Sequence, residues 1–253
     1  MALPLYLAMT AAEISCAQAL PARCAYMACH FSPYGTGLSN FPRSLPKASV
    51  LIVNDRTPVQ GHDPALVAAQ VAQLAEEWEA VGILLDFQRP NIPRTAEIAK
   101  AILSALSCPV SISEYYARDL NCPVFLPPPP PDCPLPKYIA PWQGRELWLE
   151  AALDAQRIAV TPKGSSLTQD FSHDSIDCPH QDTKLHIHYK IEIAPNLVSF
   201  TLRRTQEDLT ALMQEAESLG FTQAIGLYQE LEALFGSELH PQQRKPPGSQ
   251  HAP

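Results

Sequence analysis

The sequence has no run of about 18 apolar residues, so no transmembrane helix is expected. It also lacks a concentrated basic cluster. Net charge is −8, and the basic pair Arg244-Lys245 sits in a polar tail. A mildly acidic chain of this kind is a poor partner for nucleic acid or for an anionic membrane. The Gly-rich phosphate fingerprint is missing, which counts against a nucleotide-binding α/β sheet, and no cofactor is expected. There is no Cys-x-x-Cys pair, so no zinc ribbon is expected. The N-terminus has no charged n-region and passes directly into Leu3-Pro4-Leu5-Tyr6-Leu7-Ala8, a strand pattern. No signal peptide and a cytoplasmic location are therefore expected. The seven cysteines are an odd number, and Cys24 and Cys29 fall in apolar strand patterns, as buried reduced thiols do. A Cys122–Cys133 bridge is conceivable only in an oxidising environment.

What is present is 253 residues, 46% of them apolar, enough for one large core and close to the usual length of an eight-stranded α/β barrel. Strand patterns at 3–8, 24–31, 49–54, 82–87, 109–115 and 122–126 alternate with helical ones. Thr10 and Glu13 form a capping-box pair that opens a helix over 11–20. Asp63-Pro64 is an N-cap followed by proline at the first helical position, with Leu66, Val67, Val71, Leu74 and Trp78 on one face. Thr95 is read as the cap of the next helix, with Ile98, Ile102 and Leu106 inward. Only about seven residues separate the strands at 109–115 and 122–126, too few for a full crossover helix, so this unit is expected to be trimmed.

Five consecutive prolines, 127–131, and Cys133-Pro134-Leu135-Pro136 then form a stiff polyproline loop. After residue 140 the pattern turns to hairpins, at 145–152 with 156–161 and at 185–193 with 197–203. Thr205 and Asp208 open a helix that ends at Gly220, and 222–228 reads as the closing strand. The expected architecture is an irregular TIM (β/α)8 barrel, with a hairpin-bearing insertion before the last strand. The barrel domain is expected to span 1–236, with the hairpin-rich part at 145–203 and a disordered tail at 237–253.

The richest stretch is Val81-Gly82-Ile83-Leu84-Leu85-Asp86-Phe87-Gln88-Arg89-Pro90. It stays apolar and then turns polar at its C-terminal end, where α/β proteins place their sites. The stretch resembles the fourth barrel strand of chitinase-like glycoside hydrolases of family 18. That family's pattern is D-G-x-D-x-D-W-E followed by Tyr-Pro. Gly82, Asp86 and Pro90 match it, and Phe87 supplies the aromatic. Val81 and Leu84 replace the first two Asp positions, and Gln88 stands where the family has its catalytic Glu. The family's third-strand Ser-x-Gly-Gly is also missing, replaced by Asn54-Asp55-Arg56.

In that family a carboxylic acid protonates the leaving oxygen while a neighbouring Asp steadies the attacking acetamido group. An amide donates a hydrogen bond but delivers no proton, and loss of a general acid costs about 10²–10⁴ in rate. The resemblance therefore implies a barrel that binds a glycan or small molecule without family-type hydrolysis.

Strand-end positions supply a polar ring of Glu13, His30, Asn54, Asp55, Arg56, Asp86, Gln88, Arg89, Glu114, Tyr115, Gln229 and Glu230. Asp86, Gln88 and Glu114 are the catalytic candidates. Tyr34, Asn54, Asp55, Arg56, Arg89, Tyr115, Trp142, Tyr228 and Glu230 are the ligand-binding ones. Trp142 and Tyr34 are aromatics suited to stacking on a sugar ring. One alternative is an active hydrolase using Asp86 and Glu114 as an acid pair; the same carboxylates could instead pair with Arg56 or Arg89 as mouth salt bridges. Another is an interaction module using the proline loop. His173, Cys178, His180, His186 and His188 cluster, but a hairpin's alternation gives the same spacing, and no metal is expected.

Overall fold

A computed structural model of the chain describes residues 3–16, 23–41, 45–59, 61–153, 155–169 and 177–232. In chain order, the first half runs β1 (Leu5–Met9), α1 (Ala11–Cys16), β2 (Cys24–Phe31), β3 (Leu38–Ser39), β4 (Val50–Asn54), α2 (Pro64–Glu77), β5 (Gly82–Asp86), α3 (Pro93–Ala105), β6 (Val110–Ser113), α4 (Glu114–Ala117) and β7 (Val124–Leu126). The second half runs α5 (Leu135–Tyr138), a 3₁₀ turn (Ala140–Trp142), β8 (Leu147–Ala151), β9 (Ala155–Thr161), β10 (Gly164–Gln169), β11 (His180–Asp182), β12 (Ile187–Ala194), β13 (Leu197–Arg203), α6 (Gln206–Ser218) and β14 (Phe221–Leu227).

Eight parallel strands close on themselves in the order β1, β14, β8, β7, β6, β5, β4, β2 and back to β1, while β3 adds antiparallel to β2 outside the ring. The chain is a TIM barrel. Strand alternation divides its core in two. Ala8, Ala25, Val50, Ile52, Leu84, Phe125, Trp148 and Ile225 fill the inside of the ring. The larger cluster, including Leu51, Val53, Ile83, Leu85, Val67, Ile98 and Leu209, lies between the strands and the helices. Trp148 is fully buried, and Gly82 makes room for it: a Cβ on that glycine would stand 2.8 Å from the indole.

Local signals account for the helix ends. The Thr10–Glu13 box closes α1 at both ends of the pair, with Thr10 N–H to Glu13 Oε2 at 2.6 Å and Glu13 N–H to Thr10 Oγ1 at 3.4 Å; the expected helix residues 17–20 lie outside the described residues. Asp63 caps α2 through Ala65 N–H at 2.8 Å. Thr95, expected as a cap, is instead buried inside α3, whose N-cap is Ile92 with Pro93 next. Proline's fixed φ and missing N–H suit the first helical position, so the helix starts there. The short link between β6 and β7 holds only the four-residue α4, a trimmed crossover.

The late hairpin pattern divides differently from the expectation. The stretch at 145–152 is not half of a hairpin: β8 lies parallel between β7 and β14 as the seventh barrel strand. Its alternation is that of a strand buried on both faces, with Trp148 inside the ring and Leu147 and Leu149 against the outer layer. The hairpin of β12 and β13 forms as expected, around Pro195-Asn196. Together with β9, β10 and β11 it makes a five-stranded antiparallel sheet, inserted between the seventh and eighth barrel strands. The tail at 237–253 lies outside the described residues.

Candidate functional site at the barrel mouth

A cavity of about 550 Å³ opens among the C-terminal ends of the barrel strands. Ala8, Met27, Ile52, Leu84, Phe125 and Ile225 make its floor, and the polar rim carries Thr10, His30, Asn54, Arg56, Asp86, Gln88 and Glu150. The floor and rim follow from strand parity. On β5, Gly82, Leu84 and Asp86 point into the ring, Gln88 continues that file, and Ile83, Leu85 and Phe87 face the helices.

The polar groups are held in place by one another. The Gln88 side-chain amide donates to Oδ1 of Asp86. Asp55, almost wholly buried at the end of β4, accepts the backbone N–H of Gln88 and of Arg89, each at 2.9 Å. This clamp fixes the first turn after β5. Arg89 donates to the Arg56 carbonyl at 2.7 Å, and Tyr116 donates to the Arg89 carbonyl. Asn54 donates to the Met27 carbonyl at 3.0 Å and accepts the Arg56 N–H at 3.1 Å, turning the chain out of β4.

Burial pushes the Asp86 carboxyl above the ordinary carboxylate range; the hydrogen bond from Gln88 opposes this and the charge of Asp55 adds to it. His30 is shifted the other way, downward, by burial and then by the positive charge of Arg56. Its Nδ1 is buried and has no hydrogen-bond partner among the described residues.

Of the sequence-derived candidates, Asn54, Asp55, Arg56, Asp86, Gln88 and Arg89 share this cavity. Glu114 does not line it: it begins α4, outside the ring of cavity residues. Neither Asp86 nor Glu114 forms an ion pair with Arg56 or Arg89 among the described residues. Tyr34 is 86% exposed and Tyr115 is 50% exposed, each away from the cavity. Trp142, expected as a stacking surface, is buried in the outer core. Tyr228 also lies off the cavity, its hydroxyl pushed up to about 12 by burial and by Glu232. Glu230 accepts the Leu153 N–H at 3.3 Å, tying the exits of β8 and β14 together.

Glu150, a cavity residue, was not among the candidates. Its signal is the same as that of Asp86: a buried run, Leu147-Trp148-Leu149, ending in one carboxylate. The hairpin reading of that segment hid it. Beside it stands Tyr138, whose hydroxyl is shifted upward by burial and by the charges of Glu114 and Glu150.

The histidines of the insertion serve packing. His188 Nδ1 meets Asp208 Oδ2, and His186 Nε2 meets Glu215 Oε2, each at 2.6 Å, which seats β12 on α6. No group of three or more metal-ligating side chains occurs among the described residues, and His173 lies outside them. Cys122 and Cys133 are free thiols. No described helix is long and apolar enough to cross a membrane.

No protein-family model and no curated protein matches the chain by sequence. Solved structures do match its fold. A family 18 chitinase from Cycas revoluta in complex with allosamidin superimposes with a TM-score of 0.59 at 10% identity, covering 94% of this chain and 97% of that one. A chitinase from Chromobacterium violaceum gives 0.56 at 9% identity, covering 96% and 100%. The spore cortex-lytic enzyme SleL of Bacillus cereus gives 0.56 at 9% identity, covering 88% and 70%. The fold is that of a chitinase-like TIM barrel.

Proposed function

We propose that this chain is a glycan-binding barrel that has kept the mouth of a family 18 glycoside hydrolase without its proton-transfer chemistry. The observation that carries the reading is the inward file of β5, which presents Leu84, Asp86 and Gln88 to the cavity. At the last of these positions the resemblance places a general acid, and a carboxamide has no proton to deliver at neutral pH. Leu84 leaves Asp86 without the inner carboxylate that the family pattern sets beside it.

The remaining geometry suits binding. The apolar floor offers a surface for the face of a sugar ring, and the cavity volume lies in the range of small-ligand sites, about 300–1,000 Å³. Asp86 and Gln88 together offer both an acceptor and a donor to an acetamido group. A family 18 chitinase from Cycas revoluta with the same fold has been solved with (GlcNAc)4, which makes that tetrasaccharide the natural probe.

A second reading is favoured by one observation. Burial raises the Asp86 carboxyl, as a general acid requires, and Glu150 shares its cavity. On that reading the chain is a hydrolase with Asp86 as the acid and Glu150, not Glu114, as its partner. Titrating ¹⁵N-labelled protein with (GlcNAc)4 tests the binding common to both readings. Shifts are expected at Asn54, Arg56, Asp86 and Gln88. An unperturbed mouth at millimolar sugar removes the binding proposal.

A further inference from the structure

Resting on the glycan-binding reading, we infer that the mouth selects a saccharide bearing a carboxylate, which Arg56 grips at the rim beside His30. Arg56 lines the cavity, and among the described residues its guanidinium has no carboxylate or carbonyl partner. Every neighbouring acid is already occupied. Asp55 is spent on two backbone N–H groups, Asp86 accepts from Gln88 and is shifted toward its neutral form by burial, and Glu150 has a partner of its own. A chain of net charge −8 thus sets over a concave, partly apolar site a guanidinium that has no acidic partner among the described residues.

The backbone beneath Arg56 is fixed from both sides. Its N–H is held by Asn54 and its carbonyl by the guanidinium of Arg89, so the base of the side chain is set before any ligand arrives. His30 lies within reach of the Arg56 charge and keeps a buried Nδ1 without a partner among the described residues. Burial first, and then that charge, shift the imidazole downward, and an incoming anion opposes the second of these effects. At the strand end where the resemblance sets Ser-x-Gly-Gly, this sequence has Asn54-Asp55-Arg56. A planar guanidinium reads a carboxylate through two parallel hydrogen bonds, which a neutral hydroxyl cannot match.

The test is a pair of calorimetric titrations at low salt, with (GlcNAc)4 and with a tetrasaccharide alternating glucuronic acid and N-acetylglucosamine. The acidic sugar is expected to bind about tenfold more tightly. Arg56→Gln should abolish the preference, bringing the affinities for the two sugars together, and Arg56→Lys should restore part of it. Arg56 is exposed, and an unchanged melting temperature of the variants shows that the fold survives. Equal affinities, a preference for (GlcNAc)4, or a preference that persists in Arg56→Gln overturns the inference and leaves the glycan-binding reading standing. Binding of neither sugar overturns both. Cleavage of either sugar overturns the non-hydrolytic reading alone.

Discussion

Gln88 donates its side-chain amide to Oδ1 of Asp86, two residues earlier along the same inward-facing file of the fourth barrel strand. The bond favours the ionised carboxylate, against burial, which favours the neutral acid. Cutting the side chain back in Gln88→Ala removes the opposing effect. The Asp86 carboxyl is then expected to titrate at higher pH than in the unaltered protein, as followed by ¹³C chemical shift of its carboxyl carbon. A lower or unchanged value contradicts the placement of that bond.

The same shift has a stability consequence with a definite sign. A carboxyl raised in the folded state favours folding fully below its unfolded pKa of about 4, and that contribution is lost as pH rises through the folded value. Asp86→Asn, which is neutral at every pH, should therefore melt higher than the unaltered protein at pH 7. The difference should close below about pH 4. Parallel melting curves at the two pH values check this.

Asp55 is the clamp between two strand ends, and its two acceptor bonds go to backbone N–H groups that have no other partner among the described residues. Asp55→Ala should cost about 1–3 kcal/mol in urea denaturation, from the loss of two charge-assisted acceptor bonds to part-buried N–H groups. Asp55→Asn keeps one acceptor oxygen and should cost less. Equal losses in the two variants contradict the clamp.

Asp208 joins the insertion to the barrel. It accepts from Thr205 N–H at 2.9 Å, Thr205 Oγ1 at 2.8 Å and Gln181 Nε2 at 3.1 Å, and pairs with His188. Burial alone would raise its carboxyl, but these hydrogen bonds outweigh it and hold the group below the usual range. Its contribution is therefore present above about pH 4 and lost as pH falls through the folded value. Asp208→Asn should flatten the acid limb of the stability profile and cost about 1–2 kcal/mol at pH 7.

How far the chain was legible depended on whether a segment's signal was local. The helix starts at Thr10, Asp63 and Thr205 could be read because a cap is a contact between residues two or three apart. The barrel could be read because parallel strands buried on both faces leave continuous apolar runs. The mouth residues of β4 and β5 followed from where those runs turn polar. Glu150 was missed because Leu147-Trp148-Leu149-Glu150-Ala151 alternates in a way that also fits a hairpin, and only its long-range partners, β7 and β14, decide between the two. Trp142 stayed open between stacking and packing for a related reason: whether an aromatic after a proline loop packs inward or faces a ligand depends on contacts that its neighbours in sequence do not contain.

The most direct test of the central claim is mass spectrometry of (GlcNAc)4 after prolonged incubation with the unaltered protein and with Asp86→Ala. The expected result is intact tetrasaccharide in both samples, with binding weakened in the variant. Release of shorter oligosaccharides by the unaltered protein that falls on Asp86→Ala would contradict the claim and establish the hydrolase reading in its place.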